Sequence, residues 1–166
     1  MSRFNLGLLL EKQGKYAEAE LTYQEILRKD DKKLFAKARV HLGLVLEKQD
    51  KYPEAELAYQ EIQRKDDEKT FAMSRFNLAL LLEEQKKYSE AEQVYKEIKR
   101  EDDKGEFARS RFHLGSLLYT QYRYEKAEQV YKEVKRRDDK EYYLMSQYNL
   151  GILLALQKKD KEAEKV

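Results

Sequence analysis

The same leucine returns every 36 residues. Leu6, Leu42, Leu78, Leu114 and Leu150 keep that step, as do Leu10, Leu46, Leu82, Leu118 and Leu154, and Ala19, Ala55, Ala91, Ala127 and Ala163. Tyr23, Tyr59, Tyr95 and Tyr131 share it, and 19 of 28 residues agree between Phe4–Asp31 and Phe76–Asp103, so no insertion disturbs the register. A fixed period in this range means one supersecondary unit copied and stacked, each copy burying a face that its neighbour leaves open. The expected organisation is a single repeat domain over 1–166. Its units are approximately 1–31, 32–67, 68–103, 104–139 and a truncated 140–166, about four and a half copies.

Each copy reads as two helices. One Pro and six Gly in 166 residues, with abundant Glu, Lys, Leu, Ala and Gln, favour helix almost throughout. In the second copy Phe35, Ala38, Leu42, Val45 and Leu46 share one face at helical spacing. The pattern resumes after Lys51-Tyr52-Pro53 with Ala55, Tyr59 and Ile62, and Pro53 falls where a first-turn proline is tolerated. The turns between helices are polar: GK, DK, KK, YR and KD. RKDD at Arg28–Asp31 and Arg64–Asp67, REDD at Arg100–Asp103 and RRDD at Arg136–Asp139 mark the other junctions. There, basic residues suit the negative end of the helix they close, and an aspartate oxygen caps the next helix. A calcium loop would need more oxygen ligands and a glycine, so capping is the reading adopted. Gly7, Gly43, Gly115 and Gly151 lie inside helices, with Ala79 in the third copy. Small size is therefore what matters, and the Ala19 series is the expected close neighbour. No phosphate-binding glycine motif surrounds them.

Several functions are disfavoured. Charged residues form 40% of the chain, yet 34 Lys+Arg against 32 Asp+Glu leave only +2, too little excess for a general polyanion binder. With no Cys there is no disulfide, thiolate metal site or cysteine nucleophile, and a cytosolic setting is compatible. The longest apolar run, around Leu8–Leu10, is far short of the about 20 residues that span a bilayer, and no signal-peptide order opens the chain. The chain is thus expected to be soluble, without nucleic-acid or membrane partners. His41 and His113 stand two copies apart without supporting ligands, so no metal is expected. Glu18 and Glu20, with Lys and Arg around them, read as a solvated outward face rather than paired catalytic carboxylates. No catalytic set and no cofactor are expected.

The residues NLG…L in the first helix and YxEAE…Y in the second resemble the tetratricopeptide repeat (TPR) family. Leu6, Gly7, Leu10, Tyr16, Ala19 and Tyr23, with their downstream equivalents, carry the resemblance over essentially the whole chain. It implies an all-α fold, an α-solenoid of antiparallel helix pairs wound as a right-handed superhelix, acting as a non-enzymatic scaffold for protein–protein interaction. Two departures stand out. The period of 36 exceeds the about 34 residues usual for the family. The extra length suggests a first helix that starts early, near Lys32, and carries an added anchor at Phe35, Phe71, Phe107 and Tyr143. Arg39, Arg75 and Arg111 stand where the family often has a large apolar residue, which that anchor would replace.

In the family the first helices line a concave groove, and that implies where a partner would lie. Phe4, Val40, Phe76, Phe112 and Tyr148 form an apolar stripe, continued by Leu8, Leu44, Leu80, Ser116 and Ile152. Beside it run Asn5, His41, Asn77, His113 and Asn149. Such a surface could take side chains of an extended peptide or helix while the amides pair with its backbone; the competing reading is repeat-to-repeat packing. The apolar positions do not reproduce the Lys/Asn clamp with which some TPR domains hold a chaperone C-terminus. An RNA code like that of pentatricopeptide arrays would suit alternating Asn and His. The apolar stripe, with only Lys37 and Arg109 as main basic residues and Glu11, Glu47 and Glu83 nearby, argues against it. No polar capping element opens or closes the repeats, as in a segment of a longer array or an engineered one. Both end helices should then expose apolar surface, making homo-association an expectation. A structural spacer or self-assembling array without a groove ligand is the alternative function.

Overall fold

The computed structural model describes residues 2–163, and among them all regular structure is helical. The helices are α1 (Arg3–Lys12), α2 (Tyr16–Gln24), α3 (Lys32–Glu47), α4 (Tyr52–Gln60), α5 (Glu68–Glu84), α6 (Tyr88–Glu97), α7 (Lys104–Thr120), α8 (Tyr124–Glu133) and α9 (Lys140–Ala163). They fall into two compact units, one ending at Glu97 and the other beginning at Ile98. In the first unit α1/α2, α3/α4 and α5/α6 are hairpins. There α2 packs on α3 and α4 on α5, while α1, α3 and α5 touch in sequence, so the first helices form one layer. In the second unit α7 and α8 pair, and α9 packs against both.

Local chemistry sets the helix boundaries. Asp31, Asp67, Asp103 and Asp139 are extended N-cap residues or their equivalents, and each carboxylate accepts from the backbone N–H three residues on, at 2.9–3.0 Å. Ser2 caps α1 through the Asn5 N–H, so α1 begins at Arg3 without the longer lead of its equivalents. At the first-to-second helix turns Gly14, Asp50, Lys86 and Tyr122 adopt φ of 58–70°. The next N–H then reaches back to Leu10, Leu46, Leu82 or Leu118 at 2.8–3.0 Å, the left-handed closure that satisfies a terminal carbonyl. Lys158, at the fifth such position, does not turn. Contrary to the expected KD turn, α9 runs unbroken through Lys159 and Asp160 to Ala163. The expected packing of Ala163 and the chain end at Val166 lie outside the described side chains.

The period is visible as burial. Tyr23, Tyr59, Tyr95 and Tyr131 and Ala19, Ala55, Ala91 and Ala127 are all essentially inaccessible. The rings pass directly over the helical glycines: a Cβ on Gly7, Gly43 or Gly115 would stand 2.4–2.5 Å from Tyr23, Tyr59 or Tyr131. The tyrosine, not the alanine expected from the sequence, is therefore what demands a small residue. Gly151 has nothing within 4 Å. Between copies Ala36, Val40, Ile62 and Phe71 close a buried cluster, with Leu44 and Met73 packed on it.

Two expectations about charge need correction, and the first-helix arginines prove to belong to the packing. The RKDD arginine serves the following copy rather than the helix it ends. Arg28 pairs with Asp66 at 3.1 Å and donates to the Glu61 carbonyl at the end of α4. Arg100 repeats this with Asp138 (3.0 Å) and Glu133 (2.7 Å), and Arg64 donates to the Glu97 carbonyl at 2.8 Å. Arg39 and Arg111, at positions expected to have ceded their role to the added aromatic, are themselves buried. Each new ring lies between two guanidiniums: Arg28 and Arg39 on Phe35, Arg64 and Arg75 on Phe71, Arg100 and Arg111 on Phe107, all at 4.4–4.6 Å. Finally, Glu20 and Glu56 are not part of a solvated face. Glu20 accepts from Gln49 (2.9 Å) and Lys51 (2.8 Å), and Glu56 from Gln85 (2.7 Å) and Lys87 (2.8 Å), gripping the turn of the next copy.

Candidate partner-binding face

The proposed groove residues all lie on first helices or their equivalents, but with different accessibility. Phe76 (0% exposed) and Val40 (2%) are interior, so neither offers surface to a ligand. Phe4, Leu8, Leu44, Leu80, Phe112 and Ser116 are half-buried; Asn5 and Tyr148 are exposed. Phe4 tilts against Tyr23 and meets His41 edge-on, and Phe112 approaches Tyr131 and Tyr142. Ser116 accepts or donates with the Tyr131 hydroxyl at 3.0 Å.

Three members of the Asn/His row, His41, Asn77 and Asn149, are tied to the tyrosine 18 residues earlier. The Tyr23 hydroxyl donates to Glu11 Oε2 at 2.9 Å, and His41 Nδ1 lies 3.0 Å from the same oxygen with its ring stacked on Tyr23. Tyr59 donates to Glu47 and is hydrogen-bonded by Asn77. Asn149 donates to the Tyr131 hydroxyl at 3.0 Å. Burial, then the neighbouring carboxylates, hold the Tyr23 and Tyr59 phenols far above the ordinary tyrosine range. Burial likewise raises Glu47 and Glu83 despite the hydrogen bonds from Tyr59 and Tyr95. Burial, then Arg109, lowers His113, which is therefore neutral at neutral pH. Row members 41, 77 and 149 thus serve the fold, while Asn5, His41 and Asn149 each line a cleft.

Two clefts open on the first-helix layer of the first unit. One of about 710 Å³ is lined by Asn5, Leu8, Leu9, Glu11, Lys12, Tyr16, Leu44 and Lys48. The other, about 470 Å³, is lined by Phe4, Lys33, Lys37, His41, Asp67, Lys69, Thr70 and Met73. In the second unit Ser116, Tyr119, Thr120, Tyr131, Asn149 and Ile152 surround about 150 Å³. Lys12 and Lys48 were not singled out by the sequence reading, although they stand one turn beyond Leu8 and Leu44 and so share their stripe, and Tyr16 was named only for the family resemblance. Among the described residues no group of three or more His, Asp or Glu side chains could hold a metal ion.

Models of the tetratricopeptide repeat match residues 4–70, 71–106 and 107–137. The chain belongs to the tetratricopeptide repeat family. Repeats of this family generally mediate protein–protein interaction. The crystal structure of BtubC (BKLC) from P. vanneervenii is similar with a TM-score of 0.65 and 21% identity, over 96% of this chain and 73% of that one. MamA AMB-1 is similar at 0.57 and 17%, over 99% of both chains. At these identities the likeness is one of fold, an α-solenoid of helix pairs. A search of curated proteins finds no match. No described helix of this TPR chain is long and apolar enough to cross a membrane.

Proposed function

We propose that this TPR chain is a non-catalytic scaffold that binds a peptide or helix of a protein partner on its first-helix face. The observation that carries the reading is the 710 Å³ cleft, where half-buried Leu8 and Leu44 keep part of their apolar surface accessible beside the exposed Asn5. The test is to pan a displayed peptide library against the chain and against a Leu8→Glu, Leu44→Glu variant of equal helicity. Peptides held by the parent and lost by the variant support the site; no enrichment on either removes it.

One observation favours the alternative of a self-assembling array. On α9, Leu144 is 55% exposed, Tyr148 71% and Leu154 51%, more apolar surface than single scattered residues leave. Sedimentation velocity should then show concentration-dependent association that Leu144→Glu with Tyr148→Glu abolishes. A chain that stays monomeric at high concentration removes this reading.

A further inference from the structure

We infer that the partner segment held by the first unit is extended, with acidic residues on both sides of an apolar centre. This rests on the binding role proposed for that face. The two clefts lie along one stripe of α3, because Lys33, Lys37, His41, Leu44 and Lys48 are spaced three or four residues apart. On α1 the matching stripe is Phe4, Asn5, Leu8 and Lys12. Leu8 and Leu44 make the middle apolar, and lysines stand at both ends: Lys33, Lys37 and Lys69 at one, Lys12 and Lys48 at the other.

The acids in these clefts are already engaged. Glu11 receives Tyr23 and His41, while Asp67 caps α5 and pairs with Lys33 at 3.2 Å. Lys12 and Lys37 are exposed and have no carboxylate partner among the described residues. The unanswered charge is therefore positive at both ends of an apolar trough, which favours carboxylates there and penalises basic residues. Lys37 and Lys48 are 11 positions apart on α3, a rise of about 16 Å. An extended chain covers that distance in about five residues. The recognised pattern is thus an acid, a short apolar stretch, and a second acid about five residues from the first.

The test compares peptide-library selections on the parent chain and on Lys12→Glu, Lys37→Glu, two exposed positions whose reversal leaves the packing intact. The parent should enrich acid-flanked apolar peptides that lose about tenfold in affinity on the variant and weaken with added salt. The variant should enrich peptides flanked by Lys or Arg instead. Neutral or basic peptides on the parent, equal binding to both proteins, or acids spaced about ten residues apart would overturn the inference while leaving a peptide-binding face. A library that yields nothing on either protein would remove the binding reading as well.

Discussion

A single glycine shows how closely these helices approach. Gly43 lies under the Tyr59 ring, where an added Cβ would be 2.4 Å from Cε1, yet the third copy has Ala79 over a Tyr95 that is still fully buried. The ring can therefore shift by the amount one methyl requires. Gly43→Ala should change stability little, because about 1 kcal/mol of recovered helix propensity offsets the displacement. Gly43→Leu has no such neighbour to follow and should cost about 1–3 kcal/mol, read from urea unfolding of the two variants. The need for a small residue was legible in the Gly/Ala alternation along the chain. That a tyrosine imposes it was not, since residues 16 apart in sequence meet only once the hairpin closes.

At the scale of elements, the junctions are held by charge as well as by apolar packing. Arg28 reaches forward to α4 and to Asp66, whose carboxylate also accepts from the Gln63 N–H at 2.9 Å. The Asp66 side chain is 0% exposed, whereas the Arg3–Glu25 pair is 69% and 63% exposed. A partly buried pair with fixed partners couples more strongly than one dissolved in solvent. A double-mutant cycle with Arg28→Gln and Asp66→Asn should give a coupling of about 1 kcal/mol, and the same cycle on Arg3 and Glu25 close to zero. Strict additivity at Arg28 and Asp66 would mean that the pair does not join the copies. RKDD was readable as a junction from its recurrence, and Asp31 and Asp67 as caps from their place before a helix. The target of the arginine was not readable, because it lies 38 residues on, across a stacking contact that local chemistry does not specify.

For the whole molecule, the buried ionisable groups make the pH response asymmetric. Tyr23, Tyr59 and Tyr131 hold their protons more tightly folded than unfolded, so the stability they contribute is complete below pH about 10 and is lost as pH rises beyond it. Each tyrosine that ionises only in the unfolded chain steepens the loss by about 1.4 kcal/mol per pH unit. On the acid side the signs oppose. Burial raises Glu20 and Glu56, but hydrogen bonds from Lys51, Gln49, Lys87 and Gln85 outweigh it, and the net shift is downward. Their contribution is present above the unfolded value near 4.5 and disappears below it. Glu47 and Glu83, shifted upward, gain stability as pH falls toward that value, before the loss begins, and so offset part of it. Urea unfolding across pH, followed by helix content and phenolate absorbance, should therefore show a steep alkaline limb and a shallow acid one.

The sequence alone determined the repeat, its two-helix unit, the caps and the family, because these follow from periodicity and neighbours within a few residues. It also marked the face on which the candidate cleft opens, since Leu8 and Leu44 form a stripe beside the Leu6 and Leu10 series. The tertiary structure decided which residues of that face remain accessible. Val40 is covered when α3 and α5 come together, Phe76 is buried against Tyr95, and His41, Asn77 and Asn149 are taken by tyrosines of the preceding copy. The lysines at the ends of the apolar trough became a set only when α1 and α3 lay side by side. Accessibility and charge grouping depend on which surfaces meet, and a one-dimensional pattern states only which residues could be on them.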